Sequence, residues 1–141
     1  MSTRCQVIIK DEYAQLWFYR HCDGYPEGTL PTLKKFLSWV IDRRIRDNVE
    51  QSAGWLVMLG AQEYSVGDEP GHDIAISGWK VGAYEPCTPV RHDDIEYLYT
   101  IDLQAKTLSY VKTPSIDTTK DGKVVWVEAK PAKRRTKGES K

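Results

Sequence analysis

No apolar run in this sequence approaches the roughly 20 residues needed to span a bilayer; the longest, Trp55 to Leu59, is five residues. The opening "MSTRCQ" carries no apolar segment of the kind a signal peptide needs. Both absences point to an intracellular protein. Cysteine is scarce as well. Cys5, Cys22 and Cys87 are odd in number and widely spaced, with no CxxC pair. That excludes a disulfide framework and reads as three plain thiols in a reducing compartment. The short signatures of several chemistries are missing too. There is no GxxxxGK[ST], no GxGxxG, no GxSxG and no HExxH, so the chain offers no P-loop, dinucleotide fingerprint, nucleophile elbow or zincin helix.

Net charge is also lacking: twenty Lys and Arg balance twenty Asp and Glu. The balance is uneven along the chain. Residues 1–129 carry fourteen Lys/Arg against nineteen Asp/Glu, whereas residues 130–141 carry six against one. An acidic body and a basic tail say more about partners than the zero total does. Aromatics, by contrast, are plentiful, with five Trp and eight Tyr in 141 residues. This length and apolar content suit one domain, 1–129, with a real core. "KPAKRRTKGESK", residues 130–141, has no core-forming residue and reads as a basic flexible tail.

Patterning assigns the elements. "TRCQVIIK" puts Cys5, Val7 and Ile9 on one side and Gln6 and Lys10 on the other, as a strand does. "QLWFYRH" reads as a second, aromatic-rich strand, and the short "DEYA" between them makes an antiparallel hairpin. "TLPTLKKFLSWVIDRRIRDNV" sets Leu33, Phe36, Leu37, Val40, Ile41, Ile45 and Val49 on one helical stripe. Thr29 is the expected N-cap and Pro31 is expected in the first turn. "SAGWLVMLGAQEY" predicts a second, more buried helix. "DIAISGWKVGAYEP" predicts one or two short strands, and "IEYLYTIDL" is the cleanest strand. It sends Ile95, Tyr97, Tyr99, Ile101 and Leu103 to one face and Glu96, Thr100 and Asp102 to the other. "LSYVKT" and "VVWVEA" complete the set, the second after an Asp-Gly turn signal. The order β-β-α-α-β-β-β-β, joined by tight turns, predicts an α+β protein. Its sheet is mostly antiparallel, with two helices on one face.

Polar residues cluster in "HCDGYPEG", residues 21–28. In a strand, residues i and i+2 share a face, so His21 and Asp23 would form a general acid/base pair if β geometry continued through them. The alternative is a structural turn, with Asp23 on the backbone of Gly24 or Tyr25 and His21 packed against Trp17 or Tyr19. Cys22 points away from His21 and makes no thiolate pair with it. The glycines and the following helix start could cradle a phosphate at Gly28 and Thr29, near Lys34 or Lys35. That would make a nucleotide-sequestering loop. All three histidines adjoin acids, so convergence of His21, His72, His92 and Asp94 would create a divalent-metal site for phosphodiester cleavage. No other cofactor is indicated.

The clearest electrostatic signal is basic. Lys34, Lys35, Arg43, Arg44 and Arg46 fall within 13 residues, and Lys133, Arg134 and Arg135 lie in the tail. Together they predict sequence-independent phosphate contacts, set against the reading of charge runs as mere solvation. Tyr25 would be displayed beside them, and acidic loops at 68–73 and 93–96 would form a second surface. Tyr97, Tyr99 and Tyr110 with Trp17, Trp79 and Trp126 could stack on bases, although such rings more often form the layer on which helices pack.

The N-terminal "STR", residues 2–4, followed by "H-x-D-G-Y-P-x-G" over residues 21–28, resembles a set of small phage and prophage proteins without established activity. "DIEYLYTIDL", residues 94–103, extends the likeness. The resemblance implies a mobile-element setting and the cytoplasm of a bacterial host. It also implies a small accessory protein of the anti-defence kind. The sequence thus predicts a non-enzymatic binding protein that engages a host protein, nucleoprotein or nucleic-acid-bearing partner and no membrane. The runner-up is a metal-dependent phosphodiesterase.

Overall fold

The computed structural model describes residues 2–64 and 82–113, and the backbone of 125–129. Eight elements follow in order: β1 (Cys5–Lys10), β2 (Gln15–Arg20), α1 (Pro26–Ile41), α2 (Val49–Glu63), β3 (Glu85–Cys87), β4 (Tyr97–Asp102), β5 (Thr107–Lys112) and β6 (Val125–Ala129). The strands make one sheet in the order β3-β2-β1-β4-β5-β6. The α+β class and the mostly antiparallel sheet agree with the sequence pattern. One pair departs from it. β1 and β4 run parallel at the centre of the sheet, with Val7 opposite Tyr99 and Ile9 opposite Ile101. Tight turns cannot produce that pairing; it arises because the chain leaves through both helices and β3 before returning beside β1.

Alternation decides which face is covered. Cys5, Val7, Ile9, Phe18, Tyr99, Ile101, Leu103 and Leu108 all point to the helices and are buried. Leu33, Phe36, Leu37 and Val40 of α1, with Val49, Ala53, Leu56 and Leu59 of α2, close the other half of the core. Each fully buried Leu or Phe side chain contributes about 1.5–3 kcal/mol. Tyr97, Tyr99 and Tyr110 lie on this same face, their centroids 5.3–6.2 Å apart. These tyrosines are therefore a layer beneath the helices, not a platform for bases. Trp79 lies outside the described residues.

The helices begin and end where periodicity did not place them. The N-cap of α1 is Tyr25, and Pro26 opens the helix; Thr29 is a buried residue inside it. Pro31 consequently sits past the first turn. There it cannot donate to the Glu27 carbonyl, a loss made tolerable by its exposure to water. The apolar stripe runs on through Ile45 and Val49, yet α1 stops at Ile41. Asp42 is the C-cap, and Arg43 turns left-handed at φ 62°. The Arg43 N–H donates to Val40 O at 3.1 Å and the Arg44 N–H to Trp39 O at 2.8 Å. This bond pair is the Schellman motif, which normally puts Gly at the position Arg43 holds. Ile45 and Val49 remain buried, but from a turn and from the next helix.

The start of α2 is held from outside. Asn48 makes no side-chain cap; instead the Val49 N–H donates to Asp11 Oδ2 at 2.9 Å. Asp11 belongs to the β1–β2 hairpin turn, where its Oδ1 also accepts the N–H groups of Tyr13 and Ala14.

A candidate anion-binding recess at the helix corner

The turn after α1 opens a recess of about 500 Å³, lined in part by Arg43, Arg44, Arg46, Asp47, Gln51 and Lys106. Four cations therefore face one carboxylate. That carboxylate is already engaged, since Lys106 Nζ donates to Asp47 Oδ2 at 3.3 Å and to Leu103 O at 2.9 Å. Lys106 comes from the β4–β5 turn and, like Arg43, has positive φ, at 59°. Two of the three positive-φ non-glycine residues among those described thus border one recess. Such backbone costs roughly 1–2 kcal/mol per residue, and strain of this kind concentrates at functional sites. The anion-favouring N-terminus of α2 adds little here, because Asp11 fills it.

An aromatic pair adjoins the recess. The Arg44 guanidinium lies over the Trp39 ring at 5.8 Å, and Lys35 Nζ approaches the same ring at 5.7 Å. Trp39 meets Trp55 edge-on, with centroids 6.1 Å apart. Trp55 and Met58 are exposed on α2. Gln51, which accepts the Arg46 N–H at 3.1 Å, precedes Trp55 by four residues and so shares its helix face.

Arg43 and Arg46, expected on a basic helix face, stand instead in this turn with Arg44. Lys35 joins them through Trp39. Lys34 lies apart, on a shallow pocket of about 280 Å³ with Pro26, Glu27, Leu30 and Pro31. Tyr25 is exposed, and its hydroxyl donates to Asp23 Oδ1 at 3.2 Å. Lys133, Arg134 and Arg135 lie outside the described residues. Sequence reasoning missed Lys106, which only the fold brings near, and the Trp39–Trp55 pair. The spacing Lys35-x₃-Trp39 was the available signal.

"HCDGYPEG" forms a tightly bonded corner. Asp23 is left-handed at φ 59°. The Gly24 N–H donates to Thr3 O at 2.8 Å, and Tyr99 OH donates to Gly24 O at 2.7 Å. A Cβ on Gly24 would stand 2.9 Å from Arg4 and Cys5 atoms, and one on Gly28 would stand 2.6 Å from Asp23 O. The Gly28 and Thr29 amides, candidate phosphate donors, both donate to Tyr25 O at 3.0 Å. Thr29 Oγ1 donates to Asp23 O at 2.8 Å. β2 ends at Arg20, so the face-sharing rule does not carry through to Asp23. His21 and Asp23 form no hydrogen bond with each other. His21 Nδ1 instead lies 2.9 Å from Tyr19 OH and 3.4 Å from Arg4 Nε.

The two described histidines share a neighbour, Tyr19. His21 and His92 flank Tyr19 at centroid distances of 6.0 and 5.0 Å, on the sheet face away from the helices. Arg4 Nε lies 3.5 Å from Asp94 Oδ2. The Arg4 cation thus contacts both His21 and Asp94, two of the expected metal ligands. Among the described residues no group of three His, Cys, Asp or Glu is placed to hold a metal ion. His72 lies outside them, as do residues 68–73.

Behind the corner lies the most buried charge among the described residues. Arg20 is fully buried on the helix side of the sheet. It makes a bidentate pair with Glu63 and donates to Cys22 O at 2.7 Å and Gly28 O at 3.3 Å. Burial works to lower the guanidinium pKa, but the hydrogen bonds and charge of Glu63 outweigh it and the net shift is upward. Tyr84 stacks under Arg20 at 5.0 Å, and burial, tempered by Arg20, raises its phenol pKa. Cys5 is buried nearby, and that burial pushes its thiol up to about 12. A thiol so disfavoured as thiolate is a packing residue, not a nucleophile.

No helix among the described residues is long and apolar enough to cross a membrane. No family model, no curated protein and no solved structure matches this chain.

Proposed function

We propose that this chain is a non-enzymatic accessory binding protein of a mobile element, engaging a nucleic-acid-bearing partner through the recess at the helix corner. The observation that carries the reading is the excess of cations there: Arg43, Arg44, Arg46 and Lys106 against the single, already paired Asp47. The body of the chain is acidic overall, so a concentrated basic site is an exception to its own surroundings. It is better suited to a localised phosphate contact than to a broad nucleic-acid footprint. The likeness of the STR and HxDGYPxG segments to phage proteins supports the mobile-element setting and the cytoplasm of a bacterial host. The anti-defence role follows from that setting.

Polyanion binding measured against salt tests the proposal. Affinity should fall linearly with log salt, and Arg46→Ala should lower the slope by about 0.7–0.9 for its lost phosphate contact. Salt-independent binding, or binding indifferent to Arg46, would remove the recess from the account. Deleting residues 130–141 asks separately whether the tail adds to the contact; unchanged binding would restrict the site to the corner.

The alternative of a metal-dependent phosphodiesterase draws on the placement of His21 and His92 beside the same Tyr19 ring. Elemental analysis of purified protein decides it, since that reading requires stoichiometric metal.

A further inference from the structure

The recess and the exposed tryptophan beside it have different chemical preferences, and one ligand satisfies both. Phosphate suits the cations. Trp55, 39% exposed on α2, suits a flat apolar ring. It meets Trp39 at near-perpendicular planes, and Trp39 in turn carries Arg44, a recess residue. Gln51, Trp55 and Met58 follow one another at i, i+4 and i+7, so a single helix face runs from the recess to the exposed Met58. Trp39 is already engaged by Lys35 and Arg44.

Resting on the proposed phosphate contact, we infer that the corner takes a single-stranded nucleic acid, with a backbone phosphate in the Arg43–Arg44–Arg46 recess and the adjoining unpaired base stacked on Trp55. A duplex offers phosphates but hides its base faces, leaving Trp55 without a role. An acidic peptide offers charge to the arginines but brings a ring to the indole only where it also carries an aromatic side chain, whereas every nucleotide has one beside its phosphate. Stacking on tryptophan is indifferent to base identity, and every phosphate contact is indifferent to sequence. Binding is therefore expected to be sequence-tolerant, and deoxyribose and ribose strands share the chemistry.

Fluorescence anisotropy with short labelled oligothymidylate, oligouridylate, an abasic oligomer of equal phosphate count and a duplex tests the inference. Both single strands should bind more tightly than the duplex and the abasic oligomer, with the tighter of the two identifying DNA or RNA as the ligand. Trp55→Ala should weaken the single strands about 5- to 150-fold, the range expected for one stacked base, and leave the abasic oligomer unchanged. Trp55→Phe should restore most of the loss. Equal binding of base-bearing and abasic oligomers would overturn the stacking while leaving the phosphate recess standing. So would a duplex bound as tightly as a single strand. Failure of all four polyanions to bind would overturn both readings.

Discussion

Arg20 and Glu63, 43 residues apart, meet as a bidentate ion pair where the end of β2, the first turn of α1 and the end of α2 converge. The guanidinium is fully buried, and its Nε and Nη2 also donate to Cys22 O and Gly28 O. The pair therefore ties the octapeptide corner to the second helix. Thr32 Oγ1 also donates to Glu63 Oε1 at 3.1 Å. Glu63→Ala strips the acceptor and strands a buried cation, a loss of about 3–5 kcal/mol. Urea denaturation should show that fall. Replacing both residues with leucine should cost less than Glu63→Ala alone, because no charge is left unpaired.

The corner itself makes a second prediction. Gly24 lies so close to β1 that a Cβ would meet backbone and Cβ atoms at 2.9 Å, none of them the end of a flexible chain. Its carbonyl accepts the buried Tyr99 hydroxyl. Tyr99→Phe leaves that carbonyl one partner short, at about 1–3 kcal/mol. Gly24→Ala should cost more, since it forces the chain off the strand. Thermal denaturation of both variants checks the ranking.

The strand alternation of residues 95–103 was legible because a period of two survives whatever packs above it, and Ile95, Tyr99, Ile101 and Leu103 are all buried as it requires. The end of α1 was not. Ile41, Ile45 and Val49 continue the helical period, and neither Gly nor Pro interrupts it. The break rests on one backbone angle at Arg43. Arg20 was equally hidden: an arginine closing an aromatic strand reads as solvated, and only tertiary structure supplies Glu63. In the recess, the arginines are visible as a run, whereas Lys106 arrives from a turn 60 residues on. The expected His21–Asp23 alignment needed a strand three residues longer than the one that forms.

Arg43 allows stability and binding to be separated. Its left-handed position is one that glycine fills without steric cost. Arg43→Gly removes strain of roughly 1–2 kcal/mol and adds about 0.5–1 kcal/mol of backbone entropy cost. The variant should therefore be as stable as the parent or up to about 1.5 kcal/mol more stable. Polyanion affinity should nevertheless fall, with a shallower salt dependence. A variant that gained stability and kept its affinity would show that Arg43 only closes the helix.

Asp11 gives the fold a dependence on pH. Backbone donation from Val49, then from Tyr13, holds its carboxyl below the usual carboxylate value, against a small opposing effect of desolvation. A carboxylate with a lowered folded pKa contributes stability above its unfolded value of about 3.9, and the contribution is lost as pH falls through the folded value. Asp11→Asn removes the charge at the start of α2, where the helix dipole favours an anion, and keeps only one of the two accepting oxygens, so either the Val49 bond or the turn bonds go with it. The variant should melt at a lower temperature than the parent at neutral pH. The two melting curves should begin to converge as pH drops below about 3.9 and come together only below the lower folded value, where the parent carries a neutral carboxyl too. A constant gap across that range would mean that geometry, not charge, makes Asp11 the cap. Asp11→Ala, which loses the acceptor as well, should keep a gap at every pH. The part of the gap that closes in acid therefore reports the charge, and the part that persists reports the hydrogen bonds.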